Sequence, residues 1–198
     1  NATYSYRGRY VVNGTYRYEG SNQMGRSSNA RWMSTWNVSG SWNVHEEKWF
    51  DKLNPLSHLT LRASYSLTGT PPDAIFTNSV AILRATTPYR RFASVKEPGI
   101  EIADLANTGL TYEKKNELNL GVDFGLWRDR VNVTFDVYTR NNFDEMGPMI
   151  TQGVGGEIIR AANVAEMHSN GMELSVSSTN IKTKDFSWIT NFIYSYTN

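Results

Sequence analysis

Residues 32 to 44 alternate strictly in polarity. The even positions are Trp32, Ser34, Trp36, Val38, Gly40, Trp42 and Val44, and five of these seven are apolar. The odd positions are Met33, Thr35, Asn37, Ser39, Ser41 and Asn43, and only Met33 is apolar. A strand sends successive side chains to opposite faces, so this segment is a strand with one apolar and one polar face. A helix of period 3.6 would scatter the same residues around its circumference.

The rhythm returns along the chain. Tyr10, Val12, Tyr16 and Tyr18 oppose Asn13, Thr15, Arg17 and Glu19; Leu59, Leu61, Ala63, Tyr65 and Leu67 oppose Thr60, Arg62, Ser64, Ser66 and Thr68. Leu118 to Phe124, Val131 to Val137 and Met172 to Val176 behave alike, while Ile189 and Ile193 blur the last segment. About eight strands are predicted, over 1–7, 10–19, 32–44, 59–69, 110–124, 130–144, 170–180 and 185–197. Many exceed the ~5–6 residues usual in globular sheets. Thirteen residues at ~3.3 Å each reach roughly 43 Å, and at a ~45° tilt they cover ~30 Å, the hydrocarbon thickness of a bilayer. Aromatics near the strand ends (Tyr10, Trp32, Trp42, Trp188 and Tyr194) fit interfacial girdles. The expectation is an all-β, antiparallel transmembrane β-barrel; a β-sandwich with its polar face in bulk water is the alternative.

The connections alternate in length. Arg7–Arg9, Gly125–Asp129 and Ile181–Lys184 are tight, whereas Gly20–Arg31, Thr70–Gly109 and Glu145–Ser169 are long. Residues 45–58 are intermediate, with a short helix expected from Glu46 to Lys52. Such alternation places all long loops on one side of a membrane. Pro71, Pro72, Pro88 and Pro98-Gly99 argue against an ordinary strand pair inside the longest loop. The chain opens in one strand pattern and stops in another, which reads as a piece of a longer polypeptide.

Composition narrows the function. Twenty Lys and Arg balance 19 Asp and Glu without a basic run, which argues against a nucleic-acid groove. No cysteine is present, so thiolate metal sites, disulfides and a Cys nucleophile are excluded. No run approaches the ~18 apolar residues of a membrane helix, and residues 1–7 lack the form of a signal peptide. The mean hydropathy of −0.49 does not speak against a barrel, whose strands are half polar.

Tyr6-Arg7-Gly8-Arg9-Tyr10, followed by Arg17-Tyr18-Glu19-Gly20-Ser21-Asn22 and Gly25, resembles a hairpin and loop of SusC/RagA-type TonB-dependent outer-membrane transporters. Further matches follow in order: Arg31-Trp32, Leu61-Arg62-Ala63-Ser64-Tyr65, Tyr112-Glu113, Asn119 through Gly125, Tyr138, Arg140, Asn163, Asn170-Gly171, Glu173 and Phe186-Ser187-Trp188. Glu19, Asn22, Met24, Thr70 and Thr108 depart from the family pattern. The resemblance implies that residues 1–198 are part of one transmembrane domain, eight consecutive strands of a 22-stranded barrel whose plug lies outside this chain. It implies location in the outer membrane and import of an oligosaccharide or peptide. The implied partners are membrane lipid, a SusD-like surface lipoprotein, and the TonB complex acting through the missing N-terminal part. No cofactor is implied. An adhesin, structural barrel or passive pore is the alternative, and a barrel-mouth enzyme the third class.

Polar strand positions are the expected lumen face: Asn13, Arg17, Asn37, Arg62, Asn119, Asp123 and Asp136. Tyr89, Arg90, Arg91 and Phe92 mix aromatic and cationic groups in the longest loop, a combination suited to cargo or lid contact, although packing within the loop explains it as well. Enzymatic chemistry finds little support. His45-Glu46-Glu47-Lys48-Trp49 lacks the second His of a zinc helix, and Gly153-Val154-Gly155-Gly156 lacks the Lys-Ser/Thr of a phosphate loop. His168-Ser169, near the expected barrel mouth, has no second His on its side to complete a site. Four sequons, at Asn1, Asn13, Asn37 and Asn132, fall on predicted strands rather than loops.

Overall fold

The period-two segments become ten strands: β1 (Ala2–Tyr6), β2 (Tyr10–Gly20), β3 (Trp32–Asn43), β4 (Leu56–Thr70), β5 (Ile82–Thr86), β6 (Gly99–Asp104), β7 (Glu113–Leu126), β8 (Val131–Ile150), β9 (Ile159–Lys182) and β10 (Ser187–Thr197). The structure, a computed structural model, describes residues 1–22, 31–50, 55–72, 80–87, 98–107, 109–153 and 159–198. Eight strands form one antiparallel sheet in the order β1-β2-β3-β4-β7-β8-β9-β10, and β5 and β6 form a separate hairpin. The sheet is open, with β1 and β10 at its edges.

Register keeps the two faces apart across the whole sheet. One line of partners runs Val12, Gly40, Ala63, Leu120, Val137, Met172 and Tyr196; the next runs Tyr10, Trp42, Leu61, Val122, Phe135, Leu174 and Tyr194. The intervening polar line is Val11, Ser41, Arg62, Gly121, Asp136, Glu173 and Ser195. Large apolar side chains of the first face stand exposed, among them Val38 at 52% and Leu120 at 47%. A water-soluble sheet would cover such a continuous apolar face with a second layer. Among the described residues only Met33, Val44, Phe50, Leu110, Tyr112 and Tyr138 are buried hydrophobics. A register shift at Trp188/Ile189 skips Asn180 of β9, and Ile189 and Ile193 of β10 lie opposite Thr179 and Ser175 on the polar face.

The sheet edges confirm the long and short connections, with three corrections. Antiparallel pairing puts turns 7–9, 127–130 and 183–186, together with connection 44–55, at one end, and connections 21–31, 71–112 and 151–158 at the other. The expected structureless loop 145–169 is largely strand, because β8 and β9 run 20 and 24 residues and leave only 151–158 between them. From Val131 to Asn142 is ~40 Å along the strand, or ~28 Å of membrane depth at ~45°. Beyond it the register shifts around Glu145, and Asp144 takes a φ of +57°. The bulge thus falls about one hydrocarbon thickness above Val131 for a strand tilted ~45°, and mixed small and polar residues above it hide the strand from an alternation test. Second, the prolines of the longest loop do not prevent β5 pairing with β6, since Pro71, Pro72, Pro88 and Pro98 all lie outside the paired residues. Third, the expected helix at Glu46–Lys52 is a single 3-10 turn at Val44–Glu46, and residues 51–54 lie outside the described residues.

Aromatic pairs mark both ends of the β2–β3 hairpin. Tyr10 stacks on Trp42 at one end with centroids 6.1 Å apart, and Tyr18 on Trp32 at the other, 5.1 Å apart. The face assignment predicts opposite outcomes for neighbours on β3. Val38 pairs with Gly14 and Tyr65 on the apolar face, whereas Asn37 pairs with Thr15 and Ser66 on the polar face. Val38→Arg in the full-length protein should cost roughly 2–4 kcal/mol and lower the folded, heat-modifiable fraction on a gel, while Asn37→Arg should leave it nearly unchanged.

Candidate functional site

The polar face carries a network of ionic groups that crosses from strand to strand. Arg62 of β4 donates from Nε to Asp123 Oδ2 of β7 at 2.6 Å, from Nη2 to Asp123 Oδ1 at 3.1 Å, and from Nη2 to Asp136 Oδ2 of β8 at 3.2 Å. One guanidinium thus ties three neighbouring strands. Its planar fork suits two carboxylates in a way that a lysine ammonium does not. Higher on the face, Glu117 of β7 accepts from Arg140 of β8 at 2.9 Å and pairs with Lys115 at 3.1 Å. The Arg140 guanidinium lies 4.0 Å over the Tyr138 ring, and the Tyr138 hydroxyl meets Thr197 Oγ1 of β10 at 2.8 Å. Tyr138 and Thr197 are on strands separated by β9, so the ring must pass over β9.

Glycines make these crossings possible. Gly171 of β9 is the cross-strand partner of Tyr138, and a Cβ there would collide with the Tyr138 ring. Gly121 of β7 lies beneath the Arg62–Asp136 contact, and a Cβ there would strike both side chains. Each glycine is a flat place over which a long side chain lies across the sheet. The Arg62 pairs are 20–40% exposed on their side chains, a setting in which an ion pair adds at most ~1 kcal/mol. Their main consequence is order: they fix a pattern of charge on a wet surface. One oxygen of Asp136, Oδ1, has no partner among the described residues.

All seven residues expected on the lumen side share this polar face. Asn13, Asn119 and Arg62 line one concavity of about 370 Å³ with Ser39, Ser41 and Ser64. Asp123 and Asp136 join it through Arg62. Asn37 pairs with Ser66 one step further along, and Arg17 pairs with Thr35 near the far end, 3.1 Å from Glu19. Tyr89, Arg90, Arg91 and Phe92 lie outside the described residues. His168 and Ser169 point to opposite faces of β9, one opposite Asn141 and the other opposite Arg140, and so form no pair. His45 packs against Phe50 and His58, and its Nδ1 lies 3.1 Å from the Leu59 carbonyl; Glu47 accepts from Arg9 and Tyr10. These two residues of the apparent zinc motif thus join the packing at the short-turn end.

A second set of contacts, beyond the reach of the alternation pattern, fastens the segment before β7 to the outer part of β8–β9. Asn163 Oδ1 accepts from the Thr111 amide at 3.0 Å, and its Nδ2 donates to the Thr111 and Asp144 carbonyls at 3.0 and 2.6 Å. Asn107 Nδ2 donates to the Ala161 carbonyl at 3.1 Å, and Arg160 donates to the Ala106 carbonyl. Met33, Leu110 and Tyr112 are buried together beneath this clasp, with Leu67 and Met146 at its margin. Burial, aided by the charge of Glu19, raises the Tyr112 hydroxyl above its ordinary range; it donates to the Arg31 carbonyl at 3.2 Å. In the sequence Asn163 is one of the family matches and a lone amide in the run Ala161-Ala162-Asn163-Val164, with nothing to show its role. Its partners, 52 and 19 residues away, are not visible there.

A one-layer sheet with a continuous apolar outside, a charged opposite face, short turns at one end and extended strands at the other is a section of a transmembrane β-barrel wall. The family described as TonB dependent receptor-like, beta-barrel matches residues 1–198, and the chain belongs to it. The chain is 30% identical over 194 residues to TonB-dependent receptor P39 of Formosa agariphila, covering 98% of this chain and 18% of that protein. It is 27% identical over 195 residues to TonB-dependent receptor SusC of Bacteroides thetaiotaomicron, covering 93% of this chain and 18% of SusC. Among solved structures, the RagAB peptide importer in its 'open-open' state superposes with a TM-score of 0.85 at 23% identity, over 98% of this chain and 20% of that one. The chain therefore spans about a fifth of the length of the relatives it matches. It is a SusC/RagA-type barrel segment of the outer membrane.

The Tyr138 crossing predicts the cost of filling its groove. In the full-length protein refolded into vesicles, Gly171→Val should lower stability by about 1–3 kcal/mol, read as the urea midpoint, because the ring must move. Tyr138→Phe should lose only the hydroxyl's contribution of about 0.5–1.5 kcal/mol. Equal midpoints for Gly171→Val and the wild type would contradict the crossing.

Proposed function

We propose that residues 1–198 are one part of a single barrel domain in an energised importer of an oligosaccharide or peptide. The observation that carries this reading is the polar face itself, which runs across eight strands and is patterned with hydrogen-bonding and ionic groups. In this reading the apolar face meets lipid and the polar face lines the lumen, so Asn13, Arg17, Asn37, Arg62, Asn119, Asp123 and Asp136 face the cargo path or the plug that fills it. Tyr89, Arg90, Arg91 and Phe92, in the sequence between β5 and β6, are the proposed contacts to cargo or lid. A SusD-like surface lipoprotein is the partner expected there, and the TonB complex acts through parts of the protein outside this chain. Support comes from the family and from relatives called TonB-dependent receptors. The RagAB neighbour, called a peptide importer, favours the peptide arm of the cargo class. No step of covalent chemistry is invoked.

A passive pore or adhesin would use the same kind of wall, so the test must separate energy coupling from leakage. Cells expressing the full-length protein with its lipoprotein partner are offered fluorescent oligosaccharides and, separately, fluorescent peptides. Uptake of one class should fall to background when a protonophore collapses the proton-motive force. Uptake that persists under the protonophore would assign a passive pore, and absence of uptake of both classes would overturn the import reading.

A further inference from the structure

The apolar face is not uniform. Near the long-connection end it carries a transverse line of partners Leu67, Asn116, Asn141 and His168, directly above the line Tyr65, Leu118, Thr139 and Asn170. These residues enclose a notch of about 590 Å³ lined by Tyr65, Asn116, Leu118, Thr139, Asn141 and His168. Asn116 is ten residues above Leu126 at the other end of β7. That places it ~23 Å up the membrane normal at ~45° tilt, at the top of an apolar band ~25 Å tall. Amides deeper in the hydrocarbon would lack partners and would cost several kcal/mol each. At this depth they meet lipid headgroups.

We infer that this notch is a binding site for the uncharged sugar headgroup of an outer-leaflet glycolipid. This rests on the reading that the apolar face meets lipid. The floor is apolar and continuous with the lipid band, with Leu118 39% exposed; the Tyr65 ring, 44% exposed, is held edge-on to Trp36 at 5.2 Å. An aromatic ring beside amide groups suits a sugar, which presents C–H faces and hydroxyls together. Charge decides against a phosphate headgroup. Lys114, one step above Asn116 on the same face, is held by Asp144 at 2.7 Å, and Glu166 accepts from Asn141 at 3.0 Å. Among the described residues the notch has no unpaired Lys or Arg, and a phosphate site needs one. Glu166 adds an acceptor for sugar hydroxyls and repels an anion.

The full-length protein in nanodiscs tests this, with monogalactosyl diacylglycerol or phosphatidylglycerol of matched acyl chains as the probe and native mass spectrometry counting retained lipid. The wild type should retain the galactolipid about tenfold more strongly, the equivalent of one to two net hydrogen bonds. Asn141→Leu combined with His168→Leu should abolish the preference, since both leave apolar side chains that the band accepts. Ser178→Leu, which adds the same bulk at the opposite end of this face, should retain it. Equal retention of the two lipids, preference for phosphatidylglycerol, or a preference that survives the double substitution would overturn the site. A nitroxide at Leu120 separates the levels of the claim. If it is reached by oxygen and the preference is missing, only the notch fails; if it is reached by an aqueous relaxant instead, the orientation of the face fails with it.

Discussion

Everything in this wall depends on parity being preserved across strand boundaries. Alternation within a strand gives two faces, but only register makes those faces continuous, because a slip of one residue exchanges them. From β1 to β10 the register keeps a mainly apolar face and a mainly polar face apart, with exceptions such as Val11 opposite Ser41 and Ile193 opposite Ser175, and the irregularities fall near Leu56/His58, at Trp188/Ile189, and around Glu145 in the outer part of β8. The main cross-strand bridges of the polar face lie between these points. Arg62 binding Asp123 and Asp136, and Arg140 binding Glu117, each require their strands in one register only. The ionic groups therefore report the register and reinforce it, while adding little net energy at this exposure.

The absence of a second layer over the described sheet follows from the same constraint. A face of Tyr, Trp, Leu and Val side chains open on this scale is stable only against something apolar, and in a barrel that is the bilayer. Apart from Tyr138, which lies over Gly171 on the polar face, the buried hydrophobics among the described residues sit where the sheet ends. Leu110 and Tyr112, with Met33, lie at the margin where the chain returns from the longest connection, and Asn163 supplies the hydrogen bonds that an additional strand would have made. This end of the wall is thus built like an ordinary small core, whereas the membrane section has none.

What was legible in the sequence was the part governed by period two. Strands β2, β3 and β4, the lower parts of β7 and β8, and the alternation of short and long connections follow from polarity and turn residues, and the seven polar-face residues follow from parity. The outer part of β8–β9 did not, because above the membrane both faces of a ribbon meet water or other loops, and selection for alternation is lost. Gly147, Pro148 and the alanines at 161, 162 and 165 read there as a loop. The β5–β6 hairpin was obscured by prolines that in fact lie outside the paired residues. The Arg62 bridges join residues 61 and 74 positions apart, and the Asn163 clasp reaches 52, distances at which no local pattern carries information. Gly121 and Gly171 read as weak strand residues until the side chains that cross them are seen.

The central claim is that adjacent residues on one strand sit at one depth in different solvents. Nitroxide labels at Val38 and Asn37 of the full-length protein in bilayers measure this directly by their relaxation with oxygen, which partitions into lipid, and with a nickel chelate, which stays in water. The account predicts that oxygen dominates at Val38 and the nickel chelate at Asn37. Aqueous preference at both positions, or a label at Val38 reached by neither relaxant, would contradict it and replace the barrel wall with a sheet packed in a water-soluble domain.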